Sequence, residues 1–192
     1  MKSKIILCTG GARSGKSEFA EKFVLSQSGR KAYVATSQIY DEEMAARVKT
    51  HKNRRGTQWQ NFEIPKDLPA HWAKIIEQAD VILVDCVTMY ITNALLTYDL
   101  YISQDVRNKA EQEIIEGITK LIELIENTED KTVVFVTNEL GLGIVPENML
   151  SRIFRDIVGL ANQKLAQAAS LVYLSVSGIT MEIKSREVMI NG

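Results

Sequence analysis

The chain has 192 residues, with 23 Lys and Arg against 24 Asp and Glu, a formal net charge of −1, and 45% hydrophobic residues. This is an ordinary balance for a protein with one sizeable core, and it excludes a general basic field for nucleic acid or an anionic membrane. No window approaches the roughly 18 apolar residues of a membrane span, and the run at 5–8 is shorter than the roughly 7–15 of a secretory signal, so a cytoplasmic location is expected.

Taken in order, apolar runs of strand length fall at 5–9 (IILCT), 32–36 (AYVAT), 81–85 (VILVD), 132–137 (TVVFVT) and 171–176 (LVYLSV). They are nearly continuous in apolar character and rich in β-branched residues, as strands buried on both faces are. A last run at 179–184 (ITMEIK) alternates and suits a sheet edge. Helical spacing appears between them at 17–25, where Phe19 and Phe23 are four apart, and at 109–126, where Ile114, Ile118, Leu121 and Ile125 share a stripe. A third helix is expected over 146–169, opened by Pro146 and Glu147. Strands alternating with helices predict one α/β domain over 1–192 with a mainly parallel sheet. The stretch 56–69 reads as a loop or small excursion. Cys8 and Cys86 end apolar runs without metal-ligand spacing and read as reduced, buried thiols.

One motif carries chemistry by itself. Gly10-x4-Gly15-Lys16-Ser17 fits the phosphate-binding pattern G-x-x-x-x-G-K-[ST]. Its glycines let backbone N–H groups close around phosphate oxygens, and the helix that follows adds its positive end. In this pattern Lys16 contacts the β- and γ-phosphates and the Ser17 hydroxyl binds Mg²⁺. The motif sits between an expected strand and an expected helix, where a phosphate loop belongs. A carboxylate at the end of a neighbouring strand is also needed, and Asp85 at the end of VILVD is the candidate. An Asp capping the next helix is the other reading of that residue.

The stretch from Asp41 to Arg55 (DEEMAARVKTHKNRR) opens like a helix, with an N-cap candidate and acids in its first turn. His51 falls four residues after Arg47, with Lys52, Arg54 and Arg55 following. It also shares the helical period of Met44 and Val48. Spacing leaves two readings open: a satisfied histidine at the rim of the core, or a reactive imidazole among phosphate-binding cations. Chemistry supplies a motive for the second, since a neutral imidazole attacks an activated phosphate to give a phosphoramidate, and neighbouring cations keep it neutral. His71 has no such surroundings and reads as structural.

Together, TGGARSGKSEFAE, YVATSQIYDEEMAARVKTHKNRR, VDCVTMYITNAL and VTNELGLGIVPENMLSRIFRDIVGLANQKLA resemble the bifunctional adenosylcobinamide kinase / adenosylcobinamide-phosphate guanylyltransferase family of cobalamin biosynthesis. The likeness covers nearly the whole chain. It implies a RecA-like P-loop NTPase fold of three layers and a homo-oligomer, trimers being known. It implies that ATP or GTP phosphorylates adenosylcobinamide, and that GTP then passes GMP through a histidine to adenosylcobinamide phosphate. The guanylylated histidine of the family falls on His51. Gly10, Gly11, Ala12, Arg13, Ser14, Gly15, Lys16 and Ser17 would hold the triphosphate, with Mg²⁺ on Ser17 and Asp85. Thr36, Ser37 and Gln38 would line the nucleotide, Lys52, Asn53, Arg54 and Arg55 would contact GTP, and Glu63 would reach the guanine or ribose. The family has Glu or Asp at position 85.

The segment 138–148 (NELGLGIVPEN) follows a strand and so lies where ligands sit in open α/β sheets. It reads either as a lid or cobinamide contact, or as a tight connection with Pro146 starting the helix. Glu139 is a candidate base toward the substrate hydroxyl. Two rivals remain at this stage: a plain small-molecule kinase with a structural His51, and a GTP-binding regulatory module, against which the missing Asn-Lys-x-Asp guanine motif counts.

Overall fold

The computed structural model describes residues 2–38 and 58–188. The strands are β1 (Lys4–Gly10), β2 (Lys31–Ala35), β3 (Trp59–Glu63), β4 (Val81–Asp85), β5 (Thr132–Val136), β6 (Leu171–Val176) and β7 (Ile179–Glu182), and the helices are α1 (Lys16–Ser26), α2 (Leu68–Gln78), α3 (Val87–Leu95), α4 (Gln104–Glu126) and α5 (Met149–Ala168). The seven strands form one sheet in the order β3-β2-β4-β5-β1-β6-β7. All neighbours are parallel except β6 and β7, so the alternating run lies at the sheet edge, as expected, and runs antiparallel to its neighbour over 179–182.

Strand periodicity divides the core in two. Ile5, Leu7, Val34, Ile82, Val84, Val133 and Phe135 face α2 to α5, in a cluster that includes Trp72, Ile91, Ile118 and Ile157. Ile6, Cys8, Tyr33, Leu83, Val134 and Val136 face the other way, against Ala20 and Val24 of α1. The central strands are apolar at every position because both faces are covered, which gives the three expected layers.

Three expectations are corrected. The stretch 56–69 is not only a loop: Trp59–Glu63 pairs in parallel with β2. Its burial is low beyond Trp59, because β3 is an edge strand with one open side. The helix expected from Pro146 begins at Met149, where the Asn148 side chain accepts from the Ser151 N–H and caps it. The helix expected from residue 109 begins at Gln104, capped by Ser103. Two helices, α2 and α3, were not anticipated.

The length of α5 shapes the functional edge. Asn162, two-thirds of the way along it, is tied to Thr137 and Asn138 just past the end of β5. The Ser170 N–H, just after the helix, donates to the Ile5 carbonyl near the start of β1. The 13 residues of α5 before Asn162, roughly 20 Å at 1.5 Å per residue, therefore extend beyond the carboxyl edge of the sheet.

Candidate nucleotide-binding site

The phosphate loop leaves β1 at Gly10 and enters α1 at Lys16. Gly10 has φ +151°, and a Cβ there would lie 2.3 Å from the Ser175 carbonyl oxygen of β6. Gly15 has φ +93° and caps α1 in the left-handed region, with Gly178 pressed against it. These positions require glycine for conformation and for close approach. The Gly178 N–H donates to the Ser14 carbonyl at 2.9 Å, so the turn between β6 and β7 braces the loop from outside.

Lys16 is buried, and its Nζ donates to the Gly11 carbonyl at 2.9 Å. Burial pulls its pKa below the ordinary value, opposed by Cys86 and then by Asp85. Among the described residues, Thr9 Oγ1 and Ser14 Oγ are buried hydroxyls without a hydrogen-bond partner. Ser14 lies in the loop itself, and an orphan hydroxyl there is what an anion and its water shell would satisfy, whereas Thr9 sits just before the loop in β1. Gly11, Ala12 and Arg13 are exposed, and Ser17 is half-buried in the first turn of α1.

Asp85 ends β4, which is separated from β1 by β5 alone. Tyr33 Oη donates to Asp85 Oδ2 at 2.9 Å. The N-cap of α3 is Cys86, with no side-chain cap, so Asp85 is not the helix cap of the alternative reading. Burial, and then the Asp85 charge, push the Cys8 thiol up to about 12 and the Cys86 thiol up to about 11. Both cysteines are free; Cys8 is buried and Cys86 half-buried.

Thr36 is fully buried. Its hydroxyl donates to the Cys86 carbonyl and accepts from the Cys86 N–H, while its own carbonyl accepts from Asn93 Nδ2. Its polar groups thus tie the ends of β2 and β4 together. Ser37 and Gln38 continue, half-buried, past the sheet edge. Glu63 is exposed at the end of β3, in register with Ala35, which is in register with Asp85. Four strand spacings of about 4.8 Å set β3 roughly 19 Å from β1. Gly10 to Ser17, Thr36 to Gln38, Glu63 and Asp85 all therefore lie along one carboxyl edge. His51, Lys52, Asn53, Arg54 and Arg55 lie outside the described residues, as does the helix expected from Asp41. His71 is on α2, where its Nδ1 bonds the Asp67 carbonyl.

Several contributors escape a reading of the sequence. Asn162 Nδ2 donates to the Asn138 carbonyl, and Thr137 Oγ1 donates to Asn162 Oδ1. The Asn138 N–H donates to Thr88 Oγ1, and the Glu139 N–H donates to the Gly10 carbonyl at 3.1 Å. Glu139 Oε1 accepts from the Gly141 N–H. No periodicity signals these contacts, which apart from the Glu139–Gly141 bond join residues far apart in the chain.

A mainly parallel sheet with a glycine loop between its central strand and a helix, and a carboxylate two strands away, defines a P-loop nucleotide-binding protein. Among solved structures the chain superposes with a TM-score of 0.58 on an ATPase from the type III secretion system of pathogenic bacteria, at 12% identity, covering 97% of this chain and 59% of that one, a likeness of fold alone. The model of the cobinamide kinase / cobinamide phosphate guanyltransferase family matches residues 6–183, and the chain belongs to that family. It is 45% identical over 182 residues to the bifunctional adenosylcobalamin biosynthesis protein CobU of Escherichia coli K12, covering 94% of this chain and 99% of that protein. The corresponding protein of Salmonella typhimurium LT2 is 44% identical over the same length. The bifunctional adenosylcobalamin biosynthesis protein CobP of Pseudomonas aeruginosa PAO1 is 35% identical over 178 residues. No described helix is long and apolar enough to cross a membrane.

Proposed function

We propose that this chain, as one domain over 1–192, phosphorylates adenosylcobinamide and then converts the product to adenosylcobinamide-GDP through a GMP-histidine at His51. The observation that carries this reading is the braced phosphate loop, with buried Lys16 and the orphan hydroxyl of Ser14, in a member of this family.

In the kinase step the substrate hydroxyl oxygen bonds to the terminal phosphorus of ATP or GTP, the bond to the nucleoside diphosphate breaks, and the hydroxyl proton is lost to a base. Lys16 and the loop N–H groups hold the phosphates and offset the charge that develops on their oxygens. In the guanylyl step a neutral His51 nitrogen attacks the α-phosphorus of GTP and pyrophosphate leaves. A phosphate oxygen of adenosylcobinamide phosphate then takes the GMP and frees the histidine. Thr36, Ser37, Gln38 and Glu63 are proposed to line the nucleoside, and Lys52, Asn53, Arg54 and Arg55 to contact GTP. The roughly 19 Å between β1 and β3 supports this, since a whole extended nucleoside triphosphate, base and ribose included, can run along the edge.

Ser17 and Asp85 would hold Mg²⁺. A hydroxyl and a carboxylate are the hard oxygen donors this ion takes. No group of three His, Cys, Asp or Glu that could hold a metal occurs among the described residues, which suits an ion that draws its other ligands from phosphates and water. When bound, it would neutralise phosphate charge. A homo-oligomer is proposed as well, supported by the exposed Leu96, Tyr101 and Ile102 between α3 and α4.

Intact-protein mass after incubation with GTP and Mg²⁺ tests the reading. An acid-labile gain equal to GMP, absent in His51→Ala and weak in Lys16→Ala, is expected. Retention of cobinamide phosphorylation in His51→Ala would separate the two steps. No adduct on the wild-type protein, with nucleotide still bound, would reduce the chain to a kinase with a structural histidine.

A further inference from the structure

The connection between β5 and α5 is unusual in what it spends on being held and what it leaves uncovered. Its first residues have little freedom. The Thr137 N–H donates to the Cys8 carbonyl, the Asn138 N–H to Thr88 Oγ1, and the Glu139 N–H to the Gly10 carbonyl, while the Asn138 carbonyl accepts from Asn162. Leu140 packs against the main core. The Gly143 N–H returns to the Leu140 carbonyl, and Arg152 Nη1 donates to the Pro146 carbonyl. Yet Leu142 is 86% exposed, Ile144 96% and Val145 61%. Three large aliphatic side chains on a backbone fixed at both ends are not a frayed loop.

The place of this rim narrows what covers it. β5 lies between the phosphate-loop strand β1 and the Asp85 strand β4, so the segment leaving β5 rises between the triphosphate site and that carboxylate. Its link to the site is direct, because Glu139 is bonded to Gly10, the first glycine of the phosphate loop. The acceptor in both steps is a cobinamide, a broad macrocycle whose ring carbons and methyl groups can lie on aliphatic side chains and that cannot enter a narrow cleft. The polar phosphate loop offers such a body nothing to rest on, whereas an aliphatic rim beside the phosphates does.

We infer that Leu142, Ile144 and Val145 form the platform on which the corrin ring of the acceptor rests while its side-chain hydroxyl or phosphate reaches the phosphate loop. This deepens the functional reading above and rests on it. One platform serves both acceptors, since they share the ring and differ only at the reacting end. The nucleotide half-reaction, in which GTP loads His51, proceeds without a corrinoid and makes no use of the platform.

The test compares the wild-type protein with Leu142→Ser/Ile144→Ser/Val145→Ser and, as a milder change, Ile144→Ser alone. The readouts are cobinamide binding by equilibrium dialysis, KM for cobinamide in the kinase step, GMP loading from GTP without corrinoid, and mass in solution by light scattering. In the triple variant, dissociation constant and KM for cobinamide are expected to rise about tenfold or more, with a smaller rise in Ile144→Ser, while GMP loading and solution mass stay as in wild type. Unchanged cobinamide affinity would overturn the platform. So would a parallel fall in GMP loading, which would place the loop in the nucleotide site, or a drop in solution mass, which would make the rim a contact between copies of the chain. A wild-type protein that loads no GMP and binds no cobinamide would instead sink the functional reading itself.

Discussion

The hydroxyl of Tyr33, in the middle of β2, donates to Asp85 Oδ2 at the end of β4. Tyr33 is buried and set edge-on to Trp59 with ring centroids 5.9 Å apart, so its hydroxyl has little freedom to swing away. The bond fixes one oxygen of the carboxylate proposed to face Mg²⁺. Tyr33→Phe removes that bond and almost no volume. The expected outcome is a several-fold rise in the Mg²⁺ concentration giving half-maximal GMP loading, with stability changed by about 1 kcal/mol. Magnesium titration of the loading rate checks it; an unchanged midpoint would show that Asp85 is held without the tyrosine.

The two glycines that open the phosphate loop are not equivalent. A Cβ on Gly10 would sit 2.3 Å from the Ser175 carbonyl oxygen, whereas one on Gly11 would meet nothing within 4 Å. Gly10→Ala should therefore cost about 2 kcal/mol or more, and Gly11→Ala should stay within about 0.5 kcal/mol of wild type. Thermal unfolding of the two variants side by side decides it. Equal losses would mean that β6 yields to the added methyl group.

Asn162 satisfies two groups at once, the fully buried Thr137 hydroxyl and the Asn138 carbonyl. Asn162→Leu keeps the size and strands both. A loss of about 2–3 kcal/mol in urea unfolding is expected, and with it a weaker grip on the loop beside Gly10. The companion change Thr137→Val should recover part of the loss, because it removes one of the stranded groups.

At the opposite edge of the sheet, Asp80 accepts from the Arg30 side chain, the Arg30 N–H and Lys131 Nζ. These bonds, those of Arg30 foremost, hold its carboxyl far below the usual carboxylate range. A carboxylate whose folded pKa is depressed adds stability above its unfolded pKa of about 3.9 and loses it as pH falls towards the folded value. Asp80→Asn should therefore unfold at lower urea than wild type from pH 7 down to about 4, and the gap should close only below that. A gap that closes between pH 7 and 5 would point to another group.

What the sequence disclosed follows from how local each constraint is. The strands around Ile6, Leu83 and Val134 were readable because burial on both faces demands an unbroken apolar run. The β3 strand was not, because WQNFE is a half-exposed edge and carries no such run. The α2 helix left a usable trace, Leu68, Trp72 and Ile75 at helical spacing, behind a misleading Pro69. Pro146 misled in the other direction: it resembles a first helical residue, yet the cap belongs to Asn148. Within the site, the phosphate loop is one contiguous stretch and was legible. The Tyr33–Asp85 bond, the Asn162 clamp and the Gly178 brace join residues from β2 to β4, from α5 to β5, and from the β6–β7 turn to the loop, and only folding brings them together. The assignment of His51 rests on resemblance, since that residue lies outside the described ones.

The first strand in chain order sits inside the sheet, with Ile6 paired to Val134 on one side and Leu171 on the other. A ribosome making this protein therefore delivers the phosphate loop well before its supports. The emerging β1 has no neighbour until β5 is complete, and the brace from Gly178 cannot form until β6 has been threaded beside it. Nucleotide can thus act as a ligand only once β6 and the turn at Gly178 have been made, and an apolar strand, IILC, waits unpaired until β5 follows more than a hundred residues later. Long-range parallel pairing of this kind is slow and prone to association on the way. A stalled or shortened chain should aggregate through β1 rather than persist as a partly active enzyme.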